Sequence, residues 1–129
     1  MEKVLGIGGL FFRARDPQAL AQWYAWHLGV TEMPRDYESA AWRQSGGTTV
    51  FAPFEEGSDY FGDPDKRFMI NFRVGDLDAM VAQLLSADIA VTVDKETYPN
   101  GRFARLVDPE GNPIELWQPA GIALDTEEK

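Results

Sequence analysis

Apolar positions along the chain fall into two matching series. Leu10 to Ala14 and Phe68 to Val74 are short runs rich in strand formers, and each leads into an Asp suited to the N-cap of a helix. Leu20, Trp23, Tyr24, His27 and Leu28 then recur at three-and-four spacing, as do Leu77, Met80, Val81, Leu84 and Leu85, so each predicted helix has one face to bury. Pro17 stands at the first helical position of the first series, where its missing N–H costs nothing. Short β-rich pieces follow each helix: Ala40 to Gln44 and Thr48 to Pro53 around Gly46-Gly47, then Ala90 to Val93, Phe103 to Val107 and Ile114 to Gln118. Between the last two, Asp108-Pro109-Glu110-Gly111-Asn112-Pro113 is dense in turn formers and reads as a hairpin connection.

The correspondence extends to residue identity. Phe12-Arg13-x-x-Asp16-x-x-Ala19-Leu20 returns as Phe72-Arg73-x-x-Asp76-x-x-Ala79-Met80, sixty positions further on. Each half thus reads as strand, helix and about three strands, too small to close a core alone but able to do so when paired. The expected organisation is one domain over 1–129: modules at 4–54 and 67–119, a joint at 55–66 and an acidic tail at 120–129. Tyr60 and Phe61 are too apolar for a plain linker and are expected to cover a cavity mouth or a partner surface.

Composition narrows the chemistry. With 129 residues, 44% of them apolar and 12% aromatic, the chain can bury a sizeable core. A net charge of −9 opposes approach to polyphosphate and leaves no basic stripe, which argues against nucleic acid as a partner. The same charge serves solubility or attracts a cationic ligand. The absence of cysteine excludes disulfides, thiolate metal sites and cysteine nucleophiles, so metal chemistry would need His and carboxylates. The first residues lack a long apolar run and no stretch approaches the ~18 apolar residues of a membrane span, which predicts a soluble, cytoplasmic protein with no membrane partner. There is no G-x-S-x-G, P-loop or dinucleotide fingerprint. Asp59, Asp63 and Asp65 lack the spacing and closing Glu of a calcium loop.

Three features together resemble the glyoxalase/bleomycin-resistance/dioxygenase (vicinal oxygen chelate) superfamily over residues 4–119. They are an Asp-initiated helix after the first strand, Trp23-Tyr24-x-x-x-Leu28-Gly29, and Gly101-Arg102-Phe103-Ala104-Arg105-x-x-Asp108-Pro109-Glu110-Gly111-Asn112-Pro113-Ile114-Glu115-Leu116-Trp117. The resemblance implies an α+β fold of two paired βαβββ modules, with curved mixed sheets around a cavity and helices outside. In metal-dependent members each half supplies one ligand early in its first strand and one in its last. Carried residue by residue, those positions are Gly9, Thr49, Met69 and Glu115. Glycine has no donor atom, a thioether binds hard divalent cations poorly and a lone carboxylate falls short of the usual three or more protein ligands. No metal ligand set and no cofactor are therefore expected. The single histidine, His27, lies on the helix stripe rather than on a ligand strand.

Side chains two apart on a strand share a face. If Glu115 points into the cavity, Trp117 does too; Asn71 and Arg73 side with Met69, Phe11 and Arg13 with Gly9, and Phe51 with Thr49. Phe11, Arg13, Phe51, Met69, Asn71, Arg73, Glu115 and Trp117 are the candidate ligand-binding residues, and the aromatic members can equally be core. Arg13 and Arg73 are suited either to pair an acid such as Glu115 or to bind an anionic ligand group. A buried, metal-free Glu115 could also serve as a catalytic base. The leading expectation is a metal-independent small-molecule-binding protein resembling the drug-sequestering branch, which also implies a homodimer with Trp26, off the helix stripe, at hand for contact. The alternative is a divalent-metal-dependent lyase, isomerase or dioxygenase of the glyoxalase type.

Overall fold

The computed structural model describes residues 1–124, so Asp125 to Lys129, the acidic end of the expected tail, lie outside the described residues. Element order is α1 (Pro17–Leu28), β1 (Ile70–Arg73), α2 (Leu77–Ser86), β2 (Thr92–Val93), β3 (Gly101–Val107), β4 (Pro113–Pro119) and a short 3-10 turn, Gly121–Leu124. The repeated Asp does the same work twice. Asp16 accepts from the backbone N–H of Ala19 at 3.1 Å, and Asp76 from that of Ala79 at 3.0 Å, which satisfies a donor that the first turn of each helix leaves free. Gly29, at φ 74°, ends α1 in the left-handed conformation while its N–H and that of Val30 return to Ala25 and Tyr24.

The fold is α+β, and its second half is a complete βαβββ module. Its sheet is mixed and open, in the order β1-β4-β3-β2, with β1 parallel to β4 and the other neighbours antiparallel. Alternation along the strands divides the sheet into two faces. Ala104, Leu106, Ile114 and Leu116 pack under Leu77, Val81 and Leu84 of α2 and under Leu20 and Tyr24 of α1, forming one buried cluster. The helix of the first half thus covers the sheet of the second.

The hairpin turn fastens α1 in place. Asp108, 3% exposed, accepts from the N–H groups of Glu110 and Asn112, from the Asn112 amide at 2.8 Å and from the Tyr24 hydroxyl at 2.6 Å. One residue pair further out, the Glu110 carboxylate accepts from the backbone N–H groups of Arg15 and Asp16 at 2.7 and 2.9 Å. These donors hold the Glu110 carboxyl below the usual carboxylate range. The turn motif that carries the family resemblance is therefore a clamp between the two halves.

The first half departs from its expected strands. Among the described residues, Leu10 to Ala14, Ala40 to Gln44 and Thr48 to Pro53 join no ladder. A strand is stable only with a mate, and none of these runs pairs with either edge of the sheet. The Arg73 guanidinium instead ties 45–49 to the sheet, donating to the carbonyls of Ser45 and Thr48 at 2.7 Å each. The expected tail also begins as structure, since the Thr48 hydroxyl donates to the Ala123 carbonyl at 2.9 Å.

Candidate functional site

The sheet face opposite the helices carries the polar chemistry. β3 and β4 place Arg105 directly across from Glu115 and Phe103 across from Trp117, while β1 sets Asn71 beside Glu115 and Arg73 beside Trp117. Glu115 is only 6% exposed, yet both of its oxygens are engaged. The Asn71 amide donates to Oε1 at 2.8 Å, the Tyr60 hydroxyl donates to Oε2 at 2.5 Å, and the Arg105 Nε lies 3.7 Å from that oxygen. Arg105 also stacks its guanidinium 3.8 Å from the Tyr60 ring centroid and donates to the Tyr60 carbonyl at 3.0 Å. Burial, then the bond to Glu115, raises the Tyr60 pKa, so the phenol keeps its proton and remains a donor.

An open cleft of about 650 Å³ lies along this face, bounded by Tyr60, Asp94, Tyr98, Phe103, Arg105 and Glu115. Its floor is aromatic. Phe103 and Tyr98 line it and meet edge-on at 5.9 Å, and the Trp117 ring, which does not line the cleft, lies 3° from parallel with Phe103 at a centroid distance of 6.1 Å. The Trp117 indole is locked by donating to the Asn100 carbonyl at 2.9 Å. At the rim the Tyr98 hydroxyl lies 2.9 Å from Asp94 and 3.1 Å from Glu96, but its one proton serves one acceptor at a time. The two carboxylates push its pKa up to about 12.

Asn71, Arg73, Glu115 and Trp117 are neighbours in the paired strands β1 and β4, but only Glu115 lines the cleft, whereas Asn71, Arg73 and Trp117 line a separate small pocket of about 50 Å³ with Thr48, Thr49 and Val50. Met69 precedes β1 and is half-buried. Phe11 and Phe51 are not brought to the cleft, being 90% and 83% exposed, and Arg13 is exposed. Their segments have no ladder to fix which way alternate side chains point. The expected pairing of Glu115 with Arg13 or Arg73 is replaced by Arg105, its cross-strand neighbour. Phe103 and Arg105 alternate with core-facing Ala104 and Leu106, so the spacing that singled out Glu115 and Trp117 contains the signal for them. Asp94 and Tyr98 arrive through the fold of a loop and have no such signal.

The positions corresponding to the superfamily's metal ligands do not fit a divalent ion. Gly9 and Met69 offer no hard donor, Thr49 lies 3.5 Å from an Arg73 nitrogen, and Glu115 is committed to Asn71, Tyr60 and Arg105. No group of three or more His, Cys, Asp or Glu suited to a metal ion occurs among the described residues. His27 sits in the last turn of α1 against Trp23, ring centroids 5.4 Å apart, away from the cleft face. None of the described helices is long and apolar enough to cross a membrane.

A mixed βαβββ sheet, backed by helices and bearing a cleft on its free face, defines a protein of the glyoxalase fold. The chain belongs to the glyoxalase-like domain family, whose sequence model matches residues 9–117. Among solved structures, a glyoxylase/bleomycin resistance protein/dioxygenase domain from Frankia sp. EAN1pec superposes with a TM-score of 0.58 at 18% identity, covering 91% of this chain and 99% of that one. TnmS3, an antibiotic binding protein from Streptomyces sp. CB03234, is 24% identical over 81% of this chain and 88% of its own, with a TM-score of 0.49. A glyoxalase/bleomycin resistance protein from the same Streptomyces is 39% identical over 38% of this chain, at a TM-score of 0.35. In that match the chain spans only 42% of the relative's length. No curated protein matches the sequence.

Proposed function

We propose that this protein binds a small organic molecule in the cleft over β2, β3 and β4, does so without a metal ion, and sequesters the molecule rather than transforming it. The observation that carries this reading is the cleft itself. Its volume of about 650 Å³ suits a drug-sized ligand, and it joins an aromatic floor to a few placed polar groups. Asp94 and Glu96 make its rim acidic, in keeping with a net charge of −9, which favours a flat ligand carrying positive charge. Glu115 then serves as a buried anchor for Asn71, Arg105 and Tyr60 rather than as a base or a metal ligand. The exposed apolar residues of the first half, with β1 paired on one side only, support a homodimer in which a second copy covers them.

Thermal shift tests the binding reading, since a ligand of the native state raises Tm by mass action. Cationic aromatic antibiotics are expected to raise Tm, and Phe103→Leu to weaken the rise; thiol conjugates and small keto acids, which suit a glyoxalase-type enzyme, are expected to leave it unchanged. A rise with keto acids or thiol conjugates alone would count against sequestration. Sedimentation velocity reads the dimer directly, and a monomer at micromolar concentration would refute it.

A further inference from the structure

We propose that Tyr60 is the gate of the cleft, holding segment 55–61 down over Glu115 so that solutes reach this carboxylate only when the segment lifts. The proposal deepens the binding reading above by assigning the residue that controls access to the deepest polar group of the same site.

The segment has little else to hold it. It runs as successive turns, with Ser58 N–H donating to the Glu55 carbonyl and Gly62 N–H to that of Asp59, each at 3.0 Å, and joins no ladder. Its far end is anchored where the Lys66 ammonium donates to the Glu110 carbonyl and the Asn112 side chain at 3.2 and 3.3 Å. Phe54 packs on Tyr60 and Phe61 with ring centroids 5.3 and 5.2 Å apart, so these aromatic contacts lie within the segment and its flank and would travel with it. Attachment to the cleft is concentrated in Tyr60, through its hydroxyl on Glu115, its ring under Arg105 and its carbonyl accepting from Arg105.

The hydroxyl occupies the place a ligand donor would take. Glu115 Oε1 is filled by Asn71 and Oε2 by Tyr60, and the Glu115 side chain is only 8% exposed. A ligand that binds against Phe103 and Tyr98 leaves the pair intact, whereas one that needs Glu115 must displace the phenol. Tyr60 therefore separates ligands by the hydrogen bonds they require as well as by shape.

Carboxyl labelling of the full chain with a water-soluble carbodiimide and glycine ethyl ester, read by peptide mass spectrometry, tests the gate without any ligand. In the wild type, Glu115 is expected to label far more slowly than exposed Glu55 and Glu56. Tyr60→Ala should speed its labelling at least about tenfold, the scale of losing a hydrogen bond to a charged group, and Tyr60→Phe, which keeps the ring under Arg105, should speed it by less. Unchanged Asp108 labelling in both variants would show that the rest of the fold is intact. Glu115 labelling at the wild-type rate in Tyr60→Ala, or at an equal rate in both variants, would overturn the proposal. Failure to find a small-molecule ligand would refute the binding reading while leaving this measurement unaffected.

Discussion

The Tyr24 hydroxyl donates a 2.6 Å hydrogen bond to the Asp108 carboxylate, joining α1 to the β3–β4 turn across 84 positions of chain. Both partners are buried, and burial together with Asp108 raises the Tyr24 pKa far above its usual value. The bond couples the packing of the two halves to one side-chain contact.

Tyr24→Phe removes that donor and leaves Asp108 with its bonds from Glu110 and Asn112 only. The expected cost is about 1–3 kcal/mol, because a buried acceptor loses a partner that water cannot replace. A urea midpoint lowered at unchanged slope would record it; a midpoint equal to wild type would mean that the bond does not hold α1.

Acid should loosen the same joint through Glu110. A carboxylate whose pKa is lower in the folded chain than in the unfolded one stabilises the fold above the unfolded value, and the contribution disappears as pH falls through the folded value. The Asp16 and Arg15 N–H groups lower the Glu110 pKa from 4.5, so its contribution is complete above roughly pH 5 and fades below pH 4.5. Wild type and Glu110→Gln should differ in Tm at pH 7, and the difference should narrow as pH falls below 4.5; a difference that stays constant with pH would contradict this.

Two glycines should respond very differently to alanine. At Gly101, φ 137°, an added Cβ would lie 2.2 Å from the Gln118 carbonyl oxygen and 2.8 Å from the Trp117 indole nitrogen. Overlap with backbone at the edge of the cleft floor should cost on the order of 3 kcal/mol. Gly29, φ 74°, has open space around the same position, so Gly29→Ala should cost only about 1 kcal/mol of left-handed strain. Equal losses by chemical denaturation would show that the close contact at Gly101 is relieved by movement.

Elemental analysis of protein purified without chelators should find no stoichiometric divalent ion. The carried-over positions Gly9, Thr49, Met69 and Glu115 offer one good donor. A bound equivalent that vanishes in Glu115→Ala would overturn metal independence and revive the glyoxalase-type enzyme.

Tyr98 should ionise late. The Asp94 and Glu96 carboxylates beside its hydroxyl move the pKa to about 12, so a step in phenolate absorbance there should disappear in Tyr98→Phe. Neutralising a rim acid with Asp94→Asn should shift that step downward. A step insensitive to this change would mean that the rim carboxylates do not hold the phenol.

Features that depend on near neighbours were legible in the chain itself. The sixty-residue repeat located both capping Asp residues, since a cap needs only a side chain within three positions of a free N–H. The strands of the second half were readable to within about two residues because an alternating stripe and a turn-forming hexapeptide bound them. The same alternation placed Asn71, Arg73, Glu115 and Trp117 on one face. The composition of the joint marked Tyr60 and Phe61 as too apolar for a linker, without deciding between a cavity mouth and a partner surface.

Tertiary structure alone decided the partners. That Arg105 rather than Arg73 faces Glu115 depends on the register of β3 against β4, and that Tyr60 closes over the pair depends on where a loop of successive turns comes down. The first-half runs have strand-forming composition but no ladder, because composition favours an extended chain whereas a strand also requires an edge to join. Local pattern thus determined the helices, their caps and the faces of the sheet. Contacts between distant segments, which no local preference encodes, made the clamp at Asp108 and the cleft beneath Tyr60.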